Sequence, residues 1–160
     1  MKALYKSIFF SVALMFGMAS CDKDELPPTG PRDNAEKLVE GTYYGTWTRA
    51  TDGTDIVETG SGSISFSVDY EKYSNNVSVM TFDVTGVDIG LGDTNTAVCN
   101  ISMISSGDFS FWNNGPSNTF GTTFYGSISA QGVAKMTYTK SVVEGRKTTT
   151  YIYSFEGTKQ

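Results

Sequence analysis

The sequence predicts an all-β fold: a single antiparallel up-and-down (meander) β-barrel of about eight strands over residues 39–160, behind a signal segment at 1–20 and a short tether at 21–38. Three observations predict it. From residue 39 onward apolar residues recur at every second position and nowhere at helical spacing, the pattern of strands with one buried face. Turn dipeptides that tolerate positive backbone φ, such as Asp52-Gly53, Gln131-Gly132 and Glu144-Gly145, punctuate this alternation at intervals too short for parallel crossovers, so consecutive strands must pair as hairpins. The first and last strands are both aromatic, and pairing them with each other removes two edges that would otherwise template aggregation. On alternation alone a two-sheet sandwich fits equally well; closure favours the barrel.

The chain opens with Lys2 and Lys6 ahead of the apolar run SIFFSVALMFGMA, which is too short to span a bilayer as a mature helix and is expected as a cleaved signal peptide. Met18, Ala19 and Ser20 precede Cys21. The two small residues let the chain enter a peptidase cleft extended, and with the cysteine behind them they resemble the lipobox of bacterial lipoproteins. That resemblance implies a diacylglycerol on the Cys21 thiol and an acylated Cys21 amine, an anchor in which each buried methylene contributes about 0.8 kcal/mol. Lys23, Asp24 and Glu25 resemble an export signal that carries lipoproteins to the outer face of the outer membrane, whereas Asp22 points, under the enteric sorting rule, to retention at the inner membrane. The expected address is the outer membrane, lipid-anchored and exposed at the cell surface. Pro27, Pro28 and Pro31 then sit in a charged stretch with almost no apolar periodicity before Leu38, which reads as a semi-extended tether.

The first strand, GTYYGTWTR, carries Gly41 and Gly45, whose lack of a side chain permits the bending a small barrel needs. The segment ETGSGS, residues 58–63, is expected as a bulge or kink in the second hairpin, followed by a strand with Ile64, Phe66, Val68 and Tyr70 on one side. Met80, Phe82 and Val84 mark the next strand, and Ala97, Cys99, Ile101 and Met103 the one after. Alternation then breaks at DFSFWNNGPSN, residues 108–118, expected as a rim loop. Phe120, Phe124 and Ile128, then Ala134, Met136 and Tyr138, and finally Tyr151, Tyr153 and Phe155 complete the series. Facing inward, Phe66, Phe82, Phe124, Tyr138, Tyr153 and Phe155 would fill much of so small a barrel.

Composition narrows the function classes. The formal charge of −5 becomes −7 once the two lysines of the signal segment are removed, an unfavourable balance for nucleic acid or anionic lipid. There is no histidine, which removes the usual general base, the Ser-His and Cys-His nucleophile pairs, and the commonest zinc and copper ligand. With Cys21 lipidated, Cys99 is the one remaining thiol and is expected buried. Asp69 and Glu71 read as solvated charge beside a turn. DIGLGDTNT lacks the alternating carboxylates and terminal Glu of a calcium loop, and ETGSGS has neither the Lys-Ser/Thr nor the helix of a phosphate loop. Lys135, Lys140, Arg146 and Lys147 gather near one hairpin, where they would protect an edge or meet an acidic partner. No enzyme activity, cofactor or metal is expected, and the protein is expected to be a monomer that binds no nucleic acid.

Gly45-Thr46-Trp47 has the Gly-x-Trp form found on the opening strand of lipocalins, and the domain resembles the calycin-like barrels of small bacterial lipoproteins. The resemblance implies that Gly45 and Trp47 are structural residues of the barrel base. It also implies a binding role, with a small hydrophobic ligand inside the barrel or a partner at its rim. The alternative is a filled barrel serving as an accessory to an outer-membrane protein complex for glycan capture. The expected binding residues are Trp112, Asn113 and Asn114, an aromatic and two amides suited to a sugar ring, together with the inward aromatics Phe124, Tyr138 and Tyr153.

Overall fold

The computed structural model describes residues 34–113 and 120–160. Among them a five-residue helix, α1 (Ala35–Val39), precedes eight strands: β1 (Gly41–Thr51), β2 (Val57–Ser67), β3 (Val77–Thr85), β4 (Thr96–Ser105), β5 (Asp108–Trp112), β6 (Phe124–Ile128), β7 (Val133–Glu144) and β8 (Lys147–Lys159). Each strand pairs antiparallel with the next, and β8 returns to β1 in register from Tyr43↔Lys159 to Thr51↔Tyr151, so the sheet closes into an up-and-down barrel. The expected pairing of the two aromatic terminal strands is therefore what closes it.

Closure depends on how near β1 and β8 can come. A Cβ added at Gly45 would lie 2.0 Å from the Glu156 carbonyl oxygen, so any side chain there would part the two strands. Gly60 and Gly62, opposite Trp47 and Gly45 on β1, let β2 come equally close to β3: a Cβ at Gly60 would lie 2.4 Å from the Thr85 carbonyl oxygen and one at Gly62 2.0 Å from that of Asp83. Residues 58–63 therefore belong to an uninterrupted ladder, not to the bulge expected from their glycines. The register irregularity of this barrel lies elsewhere, between Met103 and Ser105 where β4 meets β5.

Other elements also differ from expectation. DFSFW is strand β5 and not loop: Phe109 and Phe111 point inward and are buried while Trp112 points out, an alternation too short to stand out beside Asn-Asn-Gly-Pro. β2 ends at Ser67, so Val68 and Tyr70 leave the sheet. Phe120 lies in a turn before β6 yet is buried against the core. The tether expected to run through residue 38 gives way to α1, because Ala35 and Val39, four residues apart, fall on one helical face and bury it against the barrel.

Candidate functional site

Three regions could recognise a ligand: the interior, the two ends and the outer wall. The interior is lined by aromatic rings in continuous contact. Tyr43 meets Phe66 edge-on at 5.5 Å, Phe66 meets Phe111 at 5.1 Å, Phe111 meets Phe124 at 6.3 Å, and Phe124 meets Phe120 at 4.7 Å. Phe120 then contacts Tyr138 at 4.8 Å, and Tyr138 stacks on Tyr153 at 4.8 Å. Trp47 joins this network through Phe82 and Phe155, at 6.0 and 5.1 Å. Edge-to-face geometry lets rings fill volume while opposing their quadrupoles favourably. Of the expected binding residues, Phe124, Tyr138 and Tyr153 are thus brought together, as packing inside the barrel.

Both ends are covered. At the end where β1 begins, α1 lies against β2 and β4, and the Tyr43 hydroxyl donates to the Val39 carbonyl at 3.0 Å. Its Glu36 carboxylate is buried and accepts from the Tyr70 hydroxyl at 2.5 Å and from the Asn76 backbone N–H at 3.0 Å, which ties the helix to the β2–β3 connection. Partial loss of water around the hydroxyl of the otherwise exposed Tyr70, and then the neighbouring Glu36 carboxylate, push that phenol up to about 12. Sequence reasoning missed this contact. The signal for it in the sequence is the four-residue spacing of Ala35 and Val39 beside Glu36.

At the opposite end the β3–β4 connection, residues 86–95, folds over the stacked tyrosines. The Tyr138 hydroxyl donates to the Ile89 carbonyl at 2.6 Å, and the Lys140 ammonium donates to the Gly90 carbonyl at 2.6 Å. Gly90 adopts φ +71°, and a Cβ there would come within 2.8 Å of the Tyr153 hydroxyl. Arg49 pairs with Glu58, lies 3.6 Å from the Asp88 carboxylate and covers the Tyr151 ring. Burial raises the phenols of Tyr138 and Tyr153 above the ordinary tyrosine range and lowers Lys140. A recess of about 230 Å³ remains under this connection, bordered by Phe82, Val84 and Leu91.

The outer wall offers the larger concavity, about 740 Å³, across β6, β7, β8 and β1. Its floor is small and hydroxylic, with Thr46, Thr48, Ser127, Thr137 and Ser154, and Tyr125 stands at one side. Trp112 is the cross-strand partner of Tyr125 and, like it, exposed.

Asn113 has a different role from the expected sugar contact. It is buried; its Nδ2 donates to the Thr122 carbonyl and its Oδ1 accepts from the Phe124 N–H, both at 2.6 Å, so both ends of the amide are engaged with backbone. Trp112 faces outward on the strand and Asn113 inward, and the two do not form a joint site. Gly45 is a strand-closing position, and Trp47 is fully buried with its Nε1–H unpartnered among the described residues. Cys99 is buried as expected, and burial pushes its thiol well above the ordinary range, so it is poorly suited to nucleophilic work. Cys21, Lys23, Asp24, Glu25 and Asn114 lie outside the described residues. Comparison with protein-family models, curated proteins and solved structures finds no match for the chain.

Proposed function

We propose that this chain is a non-enzymatic, lipid-anchored binding module of the bacterial outer membrane, displayed on the cell surface through Cys21, whose calycin-like barrel is a filled scaffold that recognises its partner from outside. The observation that carries this reading is the ring-to-ring contact from Tyr43, beneath α1, to Tyr138 and Tyr153, beneath residues 86–95. A carrier of apolar molecules needs a pocket of roughly 300 Å³ or more with an entrance, which places ligand contacts where these rings pack on one another. Of the two expectations from the sequence, the filled accessory barrel is favoured over the carried small ligand. The signal segment, Ser20-Cys21 and the Lys23-Asp24-Glu25 run support the address.

The two halves of the proposal are tested together. Protein extracted from the producing cells is titrated with a fluorescent long-chain fatty acid and weighed intact by native mass spectrometry. The expected result is a mass increment for the lipid on the mature N-terminal cysteine and no saturable uptake of the probe; one-to-one uptake would overturn the filled scaffold. Cys21→Ala is expected to move the protein from the membrane to the soluble fraction, and its continued sedimentation with membranes would remove the anchor.

A further inference from the structure

Register places two rows of outward residues side by side on the wall. One row runs Trp112↔Tyr125↔Thr137↔Ser154↔Thr48, and the other Ser127↔Lys135↔Glu156↔Thr46. The first crosses β5, β6, β7, β8 and β1; at about 4.8 Å per strand spacing it is roughly 19 Å long. Its start is aromatic, with Trp112 38% and Tyr125 67% exposed, and the rest is hydroxyl, ending in the concavity of about 740 Å³. Residues directly opposite on neighbouring strands have Cβ atoms about 5 Å apart, so the two rings rise from adjacent points of the wall.

The chemistry of this wall selects its occupant. The two exposed rings present apolar faces with polar edges, which suit a ligand that is itself apolar on one face and hydroxylated at its rim. A pyranose ring is such a ligand: its axial C–H groups stack on an aromatic face, and its equatorial hydroxyls reach sideways toward Thr137, Ser154 and Thr48. The charged pair on the wall is internally neutralised, Lys135 Nζ lying 3.1 Å from Glu156 Oε2, and the chain as a whole is acidic, so an anionic ligand gains nothing here and is repelled at long range. A protein partner fits less well, because the cores of protein interfaces are depleted in serine and enriched in large aromatic side chains, whereas this floor carries Ser127 and Ser154 among small threonines. We infer that the wall from Trp112 and Tyr125 to Thr48 is a docking surface for a neutral polysaccharide chain. The inference rests on the reading of the barrel as a filled scaffold that binds from outside, and it names the class of ligand.

The test is affinity gel electrophoresis of the full-length protein, kept in a polyoxyethylene detergent that carries no sugar headgroup. The gels contain soluble xyloglucan, galactomannan, mixed-linkage β-glucan or dextran, with polygalacturonate as the anionic comparison. At least one neutral polymer is expected to retard the protein, and Trp112→Ala and Tyr125→Ala are each expected to weaken that retardation about tenfold. Both side chains are exposed, so the variants should melt close to the parent, which thermal unfolding verifies. Val143→Ala, an exposed position six residues further along β7 and so about 20 Å from Thr137, should leave the retardation intact. Four results would overturn the inference: mobility unchanged in every neutral polymer, retardation that both alanine variants keep, retardation by polygalacturonate alone, or a dimer that Trp112→Ala dissolves. Failure of the gels while fatty acid stays excluded removes the docking wall and leaves the scaffold reading in place. One-to-one fatty acid uptake removes the scaffold reading itself.

Discussion

Asn113 shows how a polar side chain can be spent entirely on architecture. Its amide both donates to the Thr122 carbonyl and accepts from the Phe124 N–H, pinning the end of β5 to the start of β6 across an eleven-residue separation. Replacing it with Ala leaves a buried N–H and a buried C=O without partners, at about 1–3 kcal/mol for each unsatisfied group. Asn113→Ala is therefore expected to lower the urea midpoint by the equivalent of about 2–4 kcal/mol. A midpoint within experimental scatter of the parent would show that the amide is dispensable to the fold. The sequence placed Asn113 beside Trp112 and suggested a shared ligand, because adjacency along a chain says nothing about side until the strand is known. Once DFSFW is a strand, neighbours point to opposite faces, and tryptophan and asparagine must part company. Trp47 was legible by another route: the Gly-x-Trp resemblance implied a structural residue, and the side chain is fully buried on the long strand β1.

Alternation worked wherever a strand was long enough to repeat it. β3, β4, β7 and β8 carry three or more inward apolar residues each, and all four match the segments expected from the sequence. It failed at β5, five residues long, and at residues 58–63, where glycines that suggested a bulge serve instead the close approach of β2 and β3. Helix α1 was missed because five residues hold little more than one turn, too short for a periodicity to show and too short to be stable without packing. What holds it is long-range: two buried apolar side chains and the Glu36 carboxylate bonded to Tyr70 and Asn76, some 34 and 40 residues away. Tyr70→Phe removes one bond from a buried carboxylate and is expected to lower the urea midpoint, less than Glu36→Ala does because water can reach the exposed Tyr70 side. Glu36→Ala removes the acceptor altogether and should free the helix locally. Amide hydrogen exchange over residues 34–40 is expected to accelerate far more than exchange in β7 and β8. Equal acceleration throughout would mean that α1 unfolds only with the barrel.

For the molecule as a whole, the inward side of the barrel is apolar and its outward side largely hydroxyl and charge, so the barrel is built to exclude water from a packed centre. Closure was readable from the two aromatic end strands, but the two covers were not, since each is made by contacts whose partners lie far apart in sequence. An interior sealed by α1 and by residues 86–95 has a measurable consequence at alkaline pH. Burial pushes the Tyr43 phenol up to about 12 and raises Tyr138 and Tyr153 as well, from an ordinary value near 10. Below pH 10 these phenols are protonated in both folded and unfolded chains, and their contribution to stability is fully present. Above pH 10 the unfolded chain releases their protons while the folded chain retains them; the unfolded state then binds fewer protons, so stability falls as pH rises. For Tyr43 the difference of about two pH units corresponds to about 2–3 kcal/mol lost by pH 12. Urea midpoints measured from pH 9 to 11.5 are expected to hold at first and then drop steeply past pH 10. Tyrosinate absorbance from the buried phenols should lag until the barrel opens. Tyr43→Phe loses the hydrogen bond to Val39, about 1 kcal/mol at neutral pH, yet should flatten part of the alkaline slope. Phenols that ionise near pH 10 in a barrel that stays folded, with an unchanged midpoint, would mean that water reaches the rings and that the centre is not sealed.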